Sequence, residues 1–127
     1  HRVFSGSRAG TLLVCAADAA GAARVGAAEV LALPARDGVL DRAALLAALA
    51  ARGCATVLVE GGGVTVSGFL EAGLLDRLHL SIAPLFIGDG IRGLRGPPGL
   101  TLERCLRPRT ELYRMGDDVL HDCDLRA

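Results

Sequence analysis

The stretch that most constrains this chain is residues 56–77, TVLVEGGGVTVSGFLEAGLLDR. A β-branched run ends in Glu60, then come Gly61, Gly62 and Gly63, and then a short helical pattern. That order predicts a strand, a tight loop and a helix start. Backbone N–H groups bared at a helix N-terminus form an electropositive end that suits an anionic phosphate. The competing explanation is purely structural: glycines permit a tight strand-to-helix turn whether or not anything binds there.

A chain of 127 residues fits a single domain, residues 1–127, with a core of its own. Its 51% hydrophobic and 22% charged residues are ordinary for a soluble globular protein. Zero formal net charge argues against nucleic acid or an acidic membrane surface as partner. No apolar run reaches the length of a membrane span, and no secretory signal pattern follows His1, so the expected location is the cytoplasm. Cys15, Cys54, Cys105 and Cys123 match no zinc or redox spacing and read as free structural thiols in a reducing compartment.

Strand and helix patterns alternate along the first two thirds. Residues 11–16 and 29–33 are short apolar strand patterns, and Asp18 is placed to cap a short Ala-rich helix reaching about Val25. Asp41 opens a helix to about Arg52, with Leu45, Leu46 and Leu49 as its stripe and Gly53 as its stop. Residues 56–60 form a third strand, 64–72 a helix closed by Gly73, and 77–84 a fourth strand. Residues 86–99, FIGDGIRGLRGPPG, read as a long irregular loop, a kind of segment that often carries function. Strand-like runs follow near 101–106 and 111–115; Gly116, Asp117 and Asp118 then turn the chain into a last strand, 119–125. The pattern predicts an α/β fold with a mixed, mainly parallel sheet and a C-terminal antiparallel hairpin.

Neither common phosphate-loop fingerprint fits Gly61-Gly62-Gly63. A P-loop requires Lys, and the chain has none; the dinucleotide pattern begun at Gly61 requires Gly where Val66 stands. What survives is physical: a strand end, a loop that lets a ligand approach the backbone, and N–H groups from about Val64 to Ser67. Thr65 and Ser67 offer hydroxyls, and Gly68 keeps the first helical turn thin. Glu60 stands at the C-terminal end of the expected strand, where open α/β sheets bind ligands. A carboxylate repels phosphate, so it is expected to face another part of the ligand, such as sugar hydroxyls.

The run VLVEGGGVTVSGFLEAGLLDRLHLSIAP resembles the reductase domain of bacterial riboflavin biosynthesis, the C-terminal RibD domain, whose fold is dihydrofolate-reductase-like. The matching motifs are V-E-G-G ending at Gly62, A-G-L-L-D ending at Asp76, I-A-P ending at Pro84, the turn at Gly88-Asp89-Gly90, and G-D-D at Gly116 to Asp118. The resemblance implies a three-layer α/β/α domain, a homodimer, and NADPH-dependent reduction of a ribosylaminouracil phosphate to a ribityl product. It implies that Glu60 contacts substrate and that Gly62, Gly63, Val64, Thr65, Val66, Ser67 and Gly68 wrap the cofactor phosphates. Gly63 stands where the family often has Pro, and Val66 where it often has Leu; the extra flexibility of Gly63 implies weaker cofactor binding. The family's opening S-L-D-G strand and A-D-N-P-x-L segment have no match in residues 1–11, so N-terminal elements are expected to be missing and the chain alone poorly active. No zinc-deaminase motif is present.

Other candidates are weaker. His79 and His121 lie on strands and read as core or surface histidines, not metal ligands; no metal site is expected. Arg92 and Arg95 in the Gly/Pro loop are candidates to hold a substrate phosphate, against the plainer reading of a solvated loop. Ser5 and Ser7 have no acid or base at a useful spacing, and no side chain is an evident catalytic acid or base. The alternatives are a pterin or folate reductase of the same fold and a non-catalytic dimerisation or ligand-binding relic.

Overall fold

The computed structural model describes Ser5, residues 9–96 and residues 101–126. Residues 1–4, Ser7 and residues 97–99 of the Gly/Pro run lie outside the described residues. The chain divides into two compact units, His1–Val57 and Leu58–Ala127.

In the first unit, β1 (Leu12–Ala16) runs parallel to β3 (Ala28–Leu33), with Leu12 opposite Glu29 and Ala16 opposite Leu33. β2 (Arg24–Val25) pairs antiparallel on the other edge of β3. β3 is therefore central, and it carries the buried residues Ala28 and Leu33. The expected helix from Asp18 to Val25 does not form: a single 3-10 turn, Ala17–Ala19, gives way to β2. The ladder with β3 outweighs the local helix preference of alanines, which is small per residue. A minimal hairpin follows, β4 (Ala35–Arg36) against β5 (Val39–Leu40). Its two turn residues, Asp37 and Gly38, have φ of 53° and 74°, the double left-handed geometry that Asp-Gly favours in two-residue hairpins.

α1 (Arg42–Ala50) starts as expected: the Asp41 carboxylate accepts from the Ala44 amide at 2.9 Å. It stops as expected too. Gly53 takes φ 85°, and the Cys54 amide donates back to the Leu49 carbonyl at 3.1 Å. Arg52 reaches Glu29 on β3 at 2.8 Å, an ion pair between exposed groups that ties helix end to strand without contributing much stability.

In the second unit, α2 (Gly63–Glu71) ends at Gly73, whose φ is 64°, with the Leu74 amide donating to the Phe69 carbonyl at 3.0 Å. β6 (Arg77–Ile82), β7 (Arg109–Met115) and β8 (Asp118–Asp124) form an antiparallel sheet with β8 in the middle. Gly116, at φ 71°, and Asp117 close the β7–β8 hairpin, with Met115 opposite Asp118. The expected C-terminal hairpin is present. Its alternation is as read from the sequence: Leu78, Leu80 and Ile82 stand opposite Cys123, His121 and Val119. The other face carries Arg77, His79, Asp122, Asp124 and Glu111.

Three expectations fail. Residues 56–60 form no strand, because no ladder partner is hydrogen-bonded to them among the described residues, and β-propensity alone does not make a strand. The run near 101–106 is a 3-10 turn, Leu102–Arg104, with Arg104 donating to the Thr101 carbonyl. The sheets are not mainly parallel: β1–β3 is the one parallel pair among the described residues, and every other pairing is antiparallel. The architecture is mixed α/β.

Candidate functional site

The glycine loop and the start of α2 carry most of the residues with chemical promise. Gly62 is the N-cap of α2, at φ −66° and ψ 164°, and no side chain caps the helix. The Thr65 and Val66 amides turn back to the Gly62 carbonyl at 2.9 and 3.4 Å. The Gly63 and Val64 amides, at the first positions of the helix, have no intrahelical acceptor by helix geometry, and they point out along its positive end.

The three glycines differ in what surrounds them. A side chain at Gly61 would meet Thr65 at 3.1 Å, whereas at Gly62 nothing lies within 4 Å. At Gly63 a Cβ would stand 2.6 Å from the carbonyl oxygens of both Arg92 and Gly93. Arg92 and Gly93, in the loop after β6, are therefore seated directly on Gly63. Glycine here is a steric requirement, not only a source of flexibility.

One turn further along, Ser67 is 2% exposed. Its Oγ accepts from the Arg95 amide at 2.7 Å. The residues expected to wrap a phosphate thus separate into two groups. Gly62, Val64 and Thr65 are exposed; Gly63 and Val66 are half-buried; Ser67 and Gly68 are buried. The Ser67 hydroxyl faces the loop that covers it. Phe69, 6% exposed, anchors the same helix from within.

This geometry fits an anionic group on one side and not the other. The carbonyl oxygens over Gly63 are electron-rich and repel an anion. The side bearing Gly62, Val64 and Thr65 offers open space, uncapped amides and a hydroxyl. Glu60 is exposed and lies two residues before the cap. A carboxylate there accepts from hydroxyls and adds no attraction for phosphate.

Of the weaker candidates, Arg92 and Arg95 gain interest, because their backbones are held against α2. His79 and His121 alternate to opposite faces of the β6–β8 ladder and form no pair. His79 Nε2 lies 3.4 Å from Asp122 Oδ1, beside Arg77, which bonds the other Asp122 oxygen at 3.2 Å. Among the described residues no group of three His, Cys, Asp or Glu side chains is placed to hold a metal ion. No helix among them is long and apolar enough to cross a membrane. The contacts of segment 92–95 were missed from the sequence; the length and glycine content of that loop were the only hint.

A family model of the RibD C-terminal domain matches residues 1–120. Riboflavin biosynthesis protein RibD of Corynebacterium ammoniagenes is 48% identical over 58 residues, covering 46% of this chain and 17% of that protein. RibD of Escherichia coli K12 is 37% identical over 72 residues, covering 57% of this chain and 20% of the relative. RibD of Haemophilus influenzae is 36% identical over 77 residues, 59% and 21% respectively. The aligned stretches span about a fifth of the length of these relatives. The chain belongs to the RibD C-terminal domain family.

Proposed function

From that membership we propose that the chain is the nucleotide-binding part of an NADPH-dependent reductase of riboflavin biosynthesis. The reaction we assign is reduction of 5-amino-6-(5-phosphoribosylamino)uracil to its ribityl product. The observation that carries this reading is the uncapped, glycine-flanked start of α2 with one open side. The amides of Gly63 and Val64 and the Thr65 hydroxyl would hold the cofactor phosphates on that side, with Gly62 leaving the approach clear. Gly63, Val66, Ser67 and Gly68 shape the turn from beneath. NADPH, when bound, supplies the hydride; the chain supplies binding and orientation.

Glu60 is the residue we assign to the substrate, accepting hydrogen bonds from the sugar hydroxyls. Its negative charge and the positive helix end would orient an extended ligand, with sugar toward the carboxylate and phosphate toward the amides. No side chain is assigned as a catalytic acid or base. We further propose the dihydrofolate-reductase-like three-layer arrangement, a homodimer and a cytoplasmic setting, as the family resemblance implies.

The test is oxidation of NADPH followed at 340 nm with the aminouracil phosphate added, and the product identified by mass. The expected result is slow, substrate-dependent oxidation with a gain of two hydrogens on the uracil compound. Reduction of a dihydropterin in preference to the uracil would overturn the substrate assignment.

A further inference from the structure

Residues 92–95, between β6 and β7, are assigned no role in the proposed reaction, yet the backbones of Arg92, Gly93 and Arg95 meet α2. We infer that Ser67 is a positioning residue: its buried hydroxyl pegs residues 92–95 to the first turns of α2 and so holds one wall of the nucleotide site. The wall's occupant rests on the NADPH reading; the peg itself does not.

Two contacts define the docking. The Arg95 amide donates to Ser67 Oγ at 2.7 Å, and the carbonyls of Arg92 and Gly93 fill the place of a Gly63 side chain at 2.6 Å. Gly63 and Ser67 are four residues apart on a helix, so they lie one above the other on one face. The segment is thus held at two points along a single line. Gly62, Val64 and Thr65 remain exposed beside it.

The consequence is electrostatic and entropic. Carbonyl oxygens line the covered side, so an anion is directed to the open side, where the amides are. A wall already in place spares the ligand the cost of ordering it on binding. Without the Ser67 oxygen the Arg95 amide loses its acceptor, and of these two contacts the packing on Gly63 remains. The side chain is neutral and buried, so its part is to position the loop rather than to contact the phosphate.

Trypsin cuts after arginine, and Arg92 and Arg95 lie within the pegged segment, so the loop carries its own reporter. The full chain and its Ser67→Ala, Arg95→Ala and Arg95→Pro variants are digested briefly, with cleavage after Arg92 followed by mass spectrometry. NADPH affinity of each is measured by calorimetry. Ser67→Ala is expected to be cut about fivefold faster and to bind NADPH weaker by about the same factor, the effect of one neutral hydrogen bond. Arg95→Pro removes the donor from the loop side and is expected to do the same, even where Ser67→Ala fails to fold. Arg95→Ala keeps the amide and is expected to be cut after Arg92 at the wild-type rate. Unchanged cleavage in both Ser67→Ala and Arg95→Pro overturns the peg. Faster cleavage with unchanged NADPH affinity overturns the wall. Absence of NADPH binding by the wild type removes the nucleotide reading and the wall's occupant, while the cleavage rates still decide the peg.

Discussion

The two helices of this chain begin in opposite ways. α1 carries its own cap: the Asp41 carboxylate takes the Ala44 amide, and the first turn is closed by the sequence that forms it. α2 begins at Gly62 with no capping side chain, and a distant loop sits over one side of its first turn. Both helices end alike, with a left-handed glycine and a back-bonded amide. The contrast lies entirely at the N-termini. A capped start stabilises its helix and offers little to a ligand. An uncapped start forgoes that stabilisation and leaves electropositive amides for something else to satisfy.

The largest effect expected on this contrast comes from Gly63→Ala. Its Cβ would meet two backbone carbonyl oxygens, so the loop or the helix start must shift, at a cost of about 1–3 kcal/mol. Urea unfolding should show the loss, and NADPH binding should weaken with it. An unaffected Gly63→Ala chain would mean that the loop does not sit on α2. Next comes Asp41→Ala, which removes the cap of α1 and should cost about 1 kcal/mol in the same experiment. NADPH affinity should be untouched by it, because the Asp41 carboxylate already takes an amide at that end.

The hairpin sheet supplies the smallest expected effect and a control. Tyr113 is the sole tyrosine, and its hydroxyl donates to Glu111 Oε2 at 2.7 Å. That bond, and then the charge of Glu111, raise the phenol above its ordinary value. A raised value means the neutral form is favoured in the folded chain. The contribution is therefore present below the ordinary tyrosine value near pH 10 and is lost as pH rises through the shifted one. Absorbance titration at 295 nm should give a midpoint above that of free tyrosine in wild type and in Asp41→Ala, and a return toward it in Glu111→Ala. A Gly63→Ala chain that keeps the raised midpoint retains its sheet, and its defect is then local to α2.

How much of this was legible in the sequence follows from the range of each interaction. α1 could be read in full, because Asp41, the leucine stripe and Gly53 all lie within or beside the helix they define. The β7–β8 hairpin was readable for the same reason: Gly116 and Asp117 specify the turn, and the alternation specifies the faces. The β4–β5 hairpin was not, since two-residue strands are too short to show a period. Residues 56–60 looked like a strand because Val57, Leu58 and Val59 favour one, but a strand needs a partner and the pattern names none. At the candidate site, the glycines, Thr65 and Glu60 were visible. The seating of Arg92 and Gly93 on Gly63 was not, nor was the Ser67–Arg95 bond across 28 residues, because no local signal encodes a contact of that separation.

The central claim is that the open start of α2 is an anion site where α1's is not, and converting one into the other tests it most directly. Gly62→Asp supplies α2 with the kind of cap that Asp41 gives α1; the position has space for a side chain and a backbone, at φ −66°, that any residue adopts. Calorimetric titration of NADPH into wild type and Gly62→Asp is the measurement. The account predicts that the variant is as stable as wild type or a few tenths of a kcal/mol more so. It also predicts that the variant binds NADPH at least about tenfold more weakly, because the new carboxylate takes the amides and repels the phosphate. Equal affinity in the two proteins, or no NADPH binding by the wild type, would contradict it.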